Sequence, residues 1–363
     1  MPKFHFESTY AARFDARIFI FAQQYSSRSP LPEVNFKVSV VIPVYNAEEF
    51  VGRAVRSALQ QPETHEVILV EDKSPDNCYR ICSQLCEEHA RVQLYTHPDH
   101  QNLGAGASRN LGIRQAKAPF IAFLDADDFY CPERFKHIKH IFESYPKADG
   151  VCDAVGVHFE AESARANWKT NRRLATYRKR IAPENLFLEQ DPVGSKGYVH
   201  MDGLTVRQRA FHKAGLLNPD LRLHQDTDLI MRLAIACRMY PGKLNEPVAM
   251  RGIHANNRIT AHRSRKESFT MFVKMLSATW QWALNNGYDD EAEVLEDRYV
   301  EKCNERLIYG KESLGQNRHL EAAGWVIQLA IGLQYCPPKR RIRLLGHILT
   351  SKIQSLVRRL KNV

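Results

Sequence analysis

Four short apolar runs follow one another in the first part of the chain, separated by helical patterns. The first run, Val38–Val44, is β-branched and continuous rather than alternating, which is typical of a strand buried on both faces. The other runs are Glu66–Asp72, Val92–Thr96 and Phe120–Asp125, the helical patterns span 47–60, 77–90 and 107–116, and Cys131-Pro132-Glu133 opens a further helix. Strands that alternate with helices of this length predict a mostly parallel sheet with helices on both faces.

The pattern changes twice further along the chain. It is mixed from Gly150 to about residue 260, and helical patterns alone follow at 268–285, 290–309, 319–334 and 340–360. The sequence therefore predicts an α/β fold followed by a helical C-terminal region. Residues 1–36 have no clear period and end in the breaker cluster Ser29-Pro30-Leu31-Pro32, so they are treated as an N-terminal extension of unknown role.

The composition of the chain is that of a folded globular protein. The chain has 363 residues, of which 44% are hydrophobic, so it has enough apolar residues for a sizeable core. Its longest apolar run, Trp325–Cys336, is far shorter than the roughly 20 residues that span a bilayer, so no membrane-spanning helix is expected. With no recognisable secretory signal, the eight cysteines are expected to be reduced thiols in a cytoplasmic protein.

The positive charge is concentrated at the C-terminal end. The chain has a formal net charge of +10, but the tail 339–363 alone has eight basic residues and no acidic ones. Apolar residues recur there at helical spacing from Ile342 to Leu360. A basic amphipathic helix is typical of a membrane-surface anchor or a partner-binding helix, and we expect peripheral binding to an anionic membrane surface. The alternative is a helix whose apolar face packs on the body of the protein.

Acidic residues follow two of the predicted strands, at the edge where sheets of this kind bind ligands. Glu71-Asp72 ends the second run, and Asp125-Ala126-Asp127-Asp128 ends the fourth. Carboxylates that leave a buried strand together repel one another unless a cation neutralises them, and a hard divalent ion does so. The alternative is a solvated turn. Between these segments, Gly104 and Gly106 precede a helix whose first N–H groups suit an anion.

Four segments together, VSVVIPVYNAEEFVGRAVRSALQQ, VEDKSPD, NLGAGASRNLGI and FIAFLDADD, resemble the family 2 glycosyltransferases in order and spacing. The resemblance covers about residues 37–260. It implies the GT-A fold, an αβα sandwich that binds a nucleotide sugar and usually Mg²⁺ or Mn²⁺. It also implies an inverting transfer of the sugar to a hydroxyl group, in the synthesis of a polysaccharide, glycolipid or cell-surface glycan.

The resemblance implies a division of the chain. A GT-A domain is expected at 37–262, with a nucleotide-binding half at 37–130 and an acceptor half at 150–262. The helical region at 263–363 follows it and ends in the basic tail. A UDP-sugar is the favoured donor, and a lipid-linked glycan is one hydroxyl acceptor that would suit a membrane-bound tail.

The resemblance also implies roles for individual residues. Asp127 matches the residue of the family's DxD motif that holds the metal, and His254 matches a further metal or phosphate contact. Lys73 stands where the family commonly has glycine, which changes the backbone freedom of that loop. The positions that match nucleotide contacts are Pro43, Tyr45, Glu48, Asp72, Arg109 and Asp125.

Asp226 is the candidate general base. The segment His224-Gln225-Asp226 precedes an amphipathic helical pattern, where the family usually has Glu-Asp. An inverting transfer needs one carboxylate that takes the proton of the acceptor hydroxyl as its oxygen attacks the anomeric carbon. The alternative role for Asp226 is a helix N-cap. Asp128 and Asp228 are assigned to the starts of helices.

The sequence leaves three other functions open. A nucleotidyltransferase of sugar-nucleotide metabolism usually has a basic glycine-rich loop after its first strand, where this chain has Pro43-Val44-Tyr45-Asn46. A non-catalytic nucleic-acid-binding protein would use the basic tail, but the tail has no aromatic residue other than His347, so no nucleic acid is expected. The third is a degenerate transferase without activity.

Overall fold

The computed structural model of the chain describes residues 35–166, 168, 174–254, 257, 265–309, 334–336, 341 and 346. The N-terminal extension, the helical patterns at 319–334 and 340–360 and the basic tail lie almost wholly outside these residues. Their predicted structures therefore stay predictions, and so does the division of the chain into domains.

A seven-stranded sheet forms the centre of the described structure. Its strands are β1 (Val38–Val44), β2 (Thr64–Glu71), β3 (Val92–Thr96), β4 (Phe120–Phe123), β6 (Gly150–Cys152), β8 (Leu204–Arg207) and β9 (Met239–Pro241). They are arranged in the order β3-β2-β1-β4-β8-β6-β9. Six strands run in one direction, and β8 alone is antiparallel to both of its neighbours. The predicted α/β fold with a mostly parallel sheet is confirmed.

A second, three-stranded sheet lies outside the central one. Its strands are β5 (Phe129–Tyr130), β10 (Ala249–Ile253) and β7 (Val155–Phe159), in the order β5-β10-β7. β10 is parallel to β7 and antiparallel to β5. This sheet joins the segment after β4 to segments far along the chain, and the sequence pattern did not predict it.

Helices cover both faces of the central sheet. They are α1 (Val51–Leu59), α2 (Cys78–Glu88), α3 (Ala105–Gln115), α4 (Lys136–Ser144), α5 (Glu162–Ala166), α6 (Leu186–Glu189), α7 (Ala210–Ala214), α8 (Gln225–Ala236), α9 (Arg265–Asn285) and α10 (Asp289–Tyr309). The helix expected to open at Pro132 begins only at Lys136. Glu133 explains the difference, because its φ of 56° is left-handed and cannot be part of a right-handed helix.

Alternate residues of the strands point into two hydrophobic cores, one on each face of the sheet. Val40 and Ile42 of β1 pack in the core with α1, α2 and α4, while Val41 packs in the core with α3, α7 and α8. Both C-terminal helices, α9 and α10, belong to the second core, where the rings of Trp280 and Tyr299 lie 5.6 Å apart. Among the described residues, no helix is long and apolar enough to cross a membrane.

Candidate active site

The predicted nucleotide-binding residues follow the carboxyl edge of the central sheet. β1 pairs in parallel with both β2 and β4, and parallel strands end at the same edge. Asp72 follows β2 directly, and its N–H donates to Val44 O at the end of β1, at 2.9 Å. Asp125 lies two residues beyond β4, and its N–H donates to Asp202 Oδ1 at 3.1 Å.

Arg109 of α3 and Asp125 form an ion pair in this edge, through Arg109 Nη2 and Asp125 Oδ1. Burial raises the pKa of the Asp125 carboxyl, although the charge of Arg109 acts in the opposite direction. Burial by itself would lower the pKa of the Arg109 guanidinium. The nearby carboxylates of Asp125, Asp226 and Asp202 outweigh this effect, so the pKa is raised overall. Arg109 therefore stays a cation and faces both the DxD segment and the predicted base.

The first turns of α3 and α8 face each other across the site. A Cβ on Gly106 would lie 2.5 Å from Gln225 Oε1, so any other residue at 106 requires the Gln225 side chain to move. Gln225 is the residue that replaces the family's usual Glu. Because it packs against the start of α3, it brings its neighbour Asp226 to the side of Arg109.

Asp226 and Asp228 share the first turn of α8 but differ in their surroundings. Asp226 is half-buried, and its Oδ1 accepts from the Thr227 N–H at 2.8 Å. The N-cap position belongs to His224, so Asp226 is not the capping residue. Asp228 is buried and bonded to Arg232 and Thr279. It lies in the first turn of α8, as predicted.

Asp72, one of the predicted nucleotide contacts, is bonded to the glycine-rich loop. Its carboxylate accepts from Leu103 N at 2.7 Å and from Gly104 N at 2.8 Å. His97 Nε2 lies 3.5 Å from Asp72 Oδ1. Burial raises the pKa of Asp72, while the two N–H bonds act in the opposite direction. The side chain therefore fixes the loop that precedes α3.

The other predicted nucleotide contacts lie at the end of β1 and in the loop that follows it. Pro43 is buried within β1, and Tyr45 beyond it is exposed. Glu48 Oε2 accepts from Asn77 N at 2.9 Å, which ties this loop to the start of α2. Lys73 has a φ of 55°, a left-handed conformation that favours the glycine commonly found in the family.

Asp127 and His254 come together although 127 positions separate them in the chain. His254 Nε2 lies 3.2 Å from Asp127 Oδ2, and Asn257 Nδ2 donates to the same oxygen at 3.0 Å. The His254 ring stacks on Phe50 with centroids 4.6 Å apart. Arg53 of α1 also stabilises the turn at Asp127, because its Nη2 donates to Asp127 O at 3.1 Å. The two residues predicted to hold metal are thus neighbours.

A second cluster of acidic residues and a histidine adjoins this pair. Of its members, the sequence analysis had proposed a role in the site only for Asp125. Asp125, Asp128 and His200 offer ligand atoms that all lie within 4.8 Å of one another. Asp128 does not start a helix as predicted, because it follows a turn and its Oδ1 accepts from Gly252 N at 2.8 Å. Asp202 is fully buried beside it, with Oδ2 3.3 Å from His200 Nδ1.

The charges of this buried group are strongly perturbed. Burial raises the pKa of Asp128 well above its usual value, and the carboxylate of Asp202 raises it further. Burial also acts on Asp202, but the charge of His200 and hydrogen bonds from Asp128 and Asp125 N lower its pKa overall. Asp202 lies in the short 3₁₀ helix Met201–Gly203 and His200 caps it, and so short a segment has no periodic pattern that could have pointed to them.

Comparisons with known proteins show that segments of the chain are similar to glycosyltransferases. Residues 39–203 match the family model described as Glycosyl transferase family 2. An uncharacterized glycosyltransferase of Haemophilus influenzae is 35% identical over 100 residues, which are 27% of this chain and 39% of that protein. The minor teichoic acid biosynthesis protein GgaB of Bacillus subtilis is 29% identical over 147 residues, which are 40% of this chain and 16% of GgaB.

Two further similarities extend the comparison. The succinoglycan biosynthesis protein ExoU of Rhizobium meliloti is 29% identical over 201 residues, which are 54% of this chain and 56% of ExoU. These matches each span less than two thirds of the relative. The crystal structure of residues 1–349 of TarS from S. aureus in complex with UDP-GlcNAc has a TM-score of 0.57 at 18% identity, and covers 85% of this chain and 83% of that one. This likeness shows the GT-A fold.

Proposed function

We propose that this chain, whose residues 39–203 belong to glycosyltransferase family 2, transfers a sugar with inversion from a nucleoside diphosphate to a hydroxyl acceptor. The observation that carries the proposal is the convergence of Asp226, Arg109 and Asp125 at one sheet edge, beside Asp127 and His254. This edge combines a half-buried carboxylate, a permanent cation and a set of metal ligands. These are the groups that glycosyl transfer from a diphosphate requires.

The donor set at Asp127 and His254 fits Mg²⁺ or Mn²⁺. Carboxylate oxygens suit both ions, and an imidazole nitrogen favours Mn²⁺. The neighbouring group supports a cation here, because it places the carboxylates of Asp125, Asp128 and Asp202 around the single imidazole of His200. When bound, such an ion stabilises the negative charge that develops on the leaving diphosphate.

Asp226 is the proposed general base. Its carboxylate would accept the proton of the acceptor hydroxyl while that oxygen attacks the anomeric carbon from the face opposite the diphosphate. Arg109 would place a positive charge near Asp226 and would hold Asp125 in place through their ion pair. Asp72 would shape the glycine-rich loop against the nucleotide through its two N–H bonds.

The names of the similar proteins support a donor and a class of product. TarS was solved with UDP-GlcNAc, so we propose a UDP-sugar as donor. GgaB and ExoU are named for teichoic acid and succinoglycan biosynthesis, so we propose an acceptor in the synthesis of a polysaccharide or cell-surface glycan. Binding of a free nucleotide sugar would also distinguish this enzyme from a nucleic-acid-binding protein.

A thermal-shift panel of UDP-, GDP- and dTDP-sugars, with and without Mn²⁺, tests donor binding. One donor is expected to raise Tm selectively in the presence of Mn²⁺, because selective binding stabilises the folded state. Asp226→Asn should retain that shift but lower the kcat of transfer by about a hundredfold or more. Asp297→Asn, an exposed acid on α10, is the matched control and should transfer normally. Formation of a nucleotide sugar from a sugar phosphate would instead identify a nucleotidyltransferase.

We also propose that the basic tail 339–363 binds an anionic membrane surface and so keeps the enzyme near a membrane-bound acceptor. Its eight basic residues and the absence of acidic ones support this, at up to about 1 kcal/mol for each basic residue near the surface. Vesicles with 30% anionic lipid should co-sediment the full chain and not a chain truncated before Lys339. Equal sedimentation of both would contradict this localisation while leaving the transferase activity unaffected.

A further inference from the structure

Helix α9 contacts the first turn of α8 through a buried hydrogen bond. Thr279 Oγ1 donates to Asp228 Oδ1 at 2.8 Å, and both residues are buried. The same hydroxyl lies 3.2 Å from Met275 O, but its single proton is better used on a carboxylate, which is the stronger acceptor. Asp228 is two residues beyond Asp226, so this bond fixes the turn that carries the proposed base.

The other carboxylate oxygen of Asp228 is held from within α8. Asp228 Oδ2 accepts from Arg232 Nε at 3.1 Å and from Nη2 at 2.6 Å. Arg232 Nη2 also donates to Leu216 O at 2.9 Å, in the segment that leads to α8. Both oxygens of Asp228 are therefore committed, and only Thr279 supplies a partner from outside α8 among the contacts described for this carboxylate.

Two more contacts hold the segment that precedes Asp226. Lys274 Nζ of α9 donates to Asp220 O at 2.6 Å, and the Phe272 ring meets the His224 ring edge-on at 5.8 Å. His224 has a left-handed φ of 61°, a conformation that a non-glycine residue keeps only where its surroundings enforce it. α9 thus restrains the segment before Asp226, including His224 with its left-handed backbone.

We propose that α9 positions Asp226 for proton transfer and that Thr279 is a positioning residue, acting through Asp228. The inference rests on the proposed role of Asp226 and adds to it a helix that lies outside the residues matched by the family. A general base must stay within hydrogen-bond reach of the proton it takes, and a displacement of about 1 Å lowers the rate by up to about a hundredfold. Turnover should therefore depend on Thr279, and donor binding should not.

Thr279→Val tests this by removing the hydroxyl at nearly constant volume. The kcat of transfer should fall about tenfold, with the KM for the nucleotide sugar unchanged. Thr279→Ser keeps a hydroxyl and should restore kcat. Val300→Ala, a core substitution in α10, controls for lost stability and should lower Tm without lowering kcat. If Thr279→Val does not fold, Lys274→Met at a partly exposed position should lower kcat about threefold with an unchanged KM.

The Asp226→Asn background distinguishes positioning from a general structural effect. There, Thr279→Val should leave the residual rate unchanged, because no base remains to be displaced. A further tenfold loss in that background, or a wild-type kcat for Thr279→Val alone, would overturn the positioning role while leaving Asp226 as the base. Full transfer by Asp226→Asn alone would remove the base assignment and this inference with it.

Discussion

Asp127 and Asp128 are adjacent in the sequence, but their carboxylates enter two very different regions. Asp127 faces His254 and Asn257, and 30% of its side chain is exposed. Asp128 points inward, where it meets Asp202 and the Gly252 N–H and is almost fully buried. Water can solvate the first carboxylate, whereas the second is charged only at a large cost unless a cation or a proton compensates it.

Because of this difference, the two carboxylates of this turn have different expected roles. The open pair, Asp127 with His254, can release and rebind ligands because solvent reaches it. The buried group consists of the carboxylates of Asp128 and Asp202, which lie next to that pair together with the partly exposed Asp125 and His200, and backbone N–H groups bond to both buried carboxylates. A cation bound by the open pair would therefore also offset the charge of the buried group.

Removal of the open carboxylate should have the largest effect. Asp127→Asn keeps the size of the side chain but removes the charge, and we expect transfer to fall by about a hundredfold to a thousandfold. Rates at increasing Mn²⁺ measure this, with Asp297→Asn as the control. Unchanged metal-dependent transfer would show that Asp127 is not a metal ligand.

The corresponding change in the buried group should be milder. Asp128→Asn resembles the protonated form that burial favours, so we expect kcat to fall by about tenfold or less and Tm to hold or rise. Steady-state kinetics and thermal unfolding provide the two measurements. A loss as large as that of Asp127→Asn would instead assign the metal to Asp125, Asp128 and His200.

The pH dependence of Mn²⁺ binding is the smallest expected effect. Burial raises the pKa of Asp128 well above its usual value, so this group holds a proton more readily as the pH falls. A cation nearby favours the deprotonated form, so binding releases protons and must strengthen as the pH rises. Titrations at several pH values should therefore give an apparent Kd for Mn²⁺ that falls as the pH rises. Asp128→Asn should flatten this dependence, and an identical slope in the variant would assign it to another group.

Much of the first half of the fold could be predicted because its signals are local. The continuous β-branched run at Val38–Val44 is buried along its whole length, as its pattern indicated. The resemblance to family 2 glycosyltransferases, carried by four short motifs, is confirmed by the match over residues 39–203. These motifs lie at strand ends, and a parallel sheet gathers strand ends at one edge.

The second half gave weaker signals because its strands are short and pair over long distances. β5 has two residues and pairs with β10 more than a hundred positions later, so no window of sequence contains both partners. The expected helix start at Asp128 was wrong for this reason, since the N–H of Gly252 in the distant strand β10 donates to its carboxylate. His200 and Asp202 were missed because a single 3₁₀ turn has no period to detect.

The sequence by itself determined the class of fold, the resemblance to a family and the identity of the residues at the sheet edge. These follow from periodicity and from short motifs, which depend on neighbours in the chain. Only the tertiary structure decided which way each carboxylate of the DxD segment faces, which partners share its charge and which helix supports the turn of Asp226. Such properties depend on burial and on contacts between distant segments, and they arise only when the chain is folded.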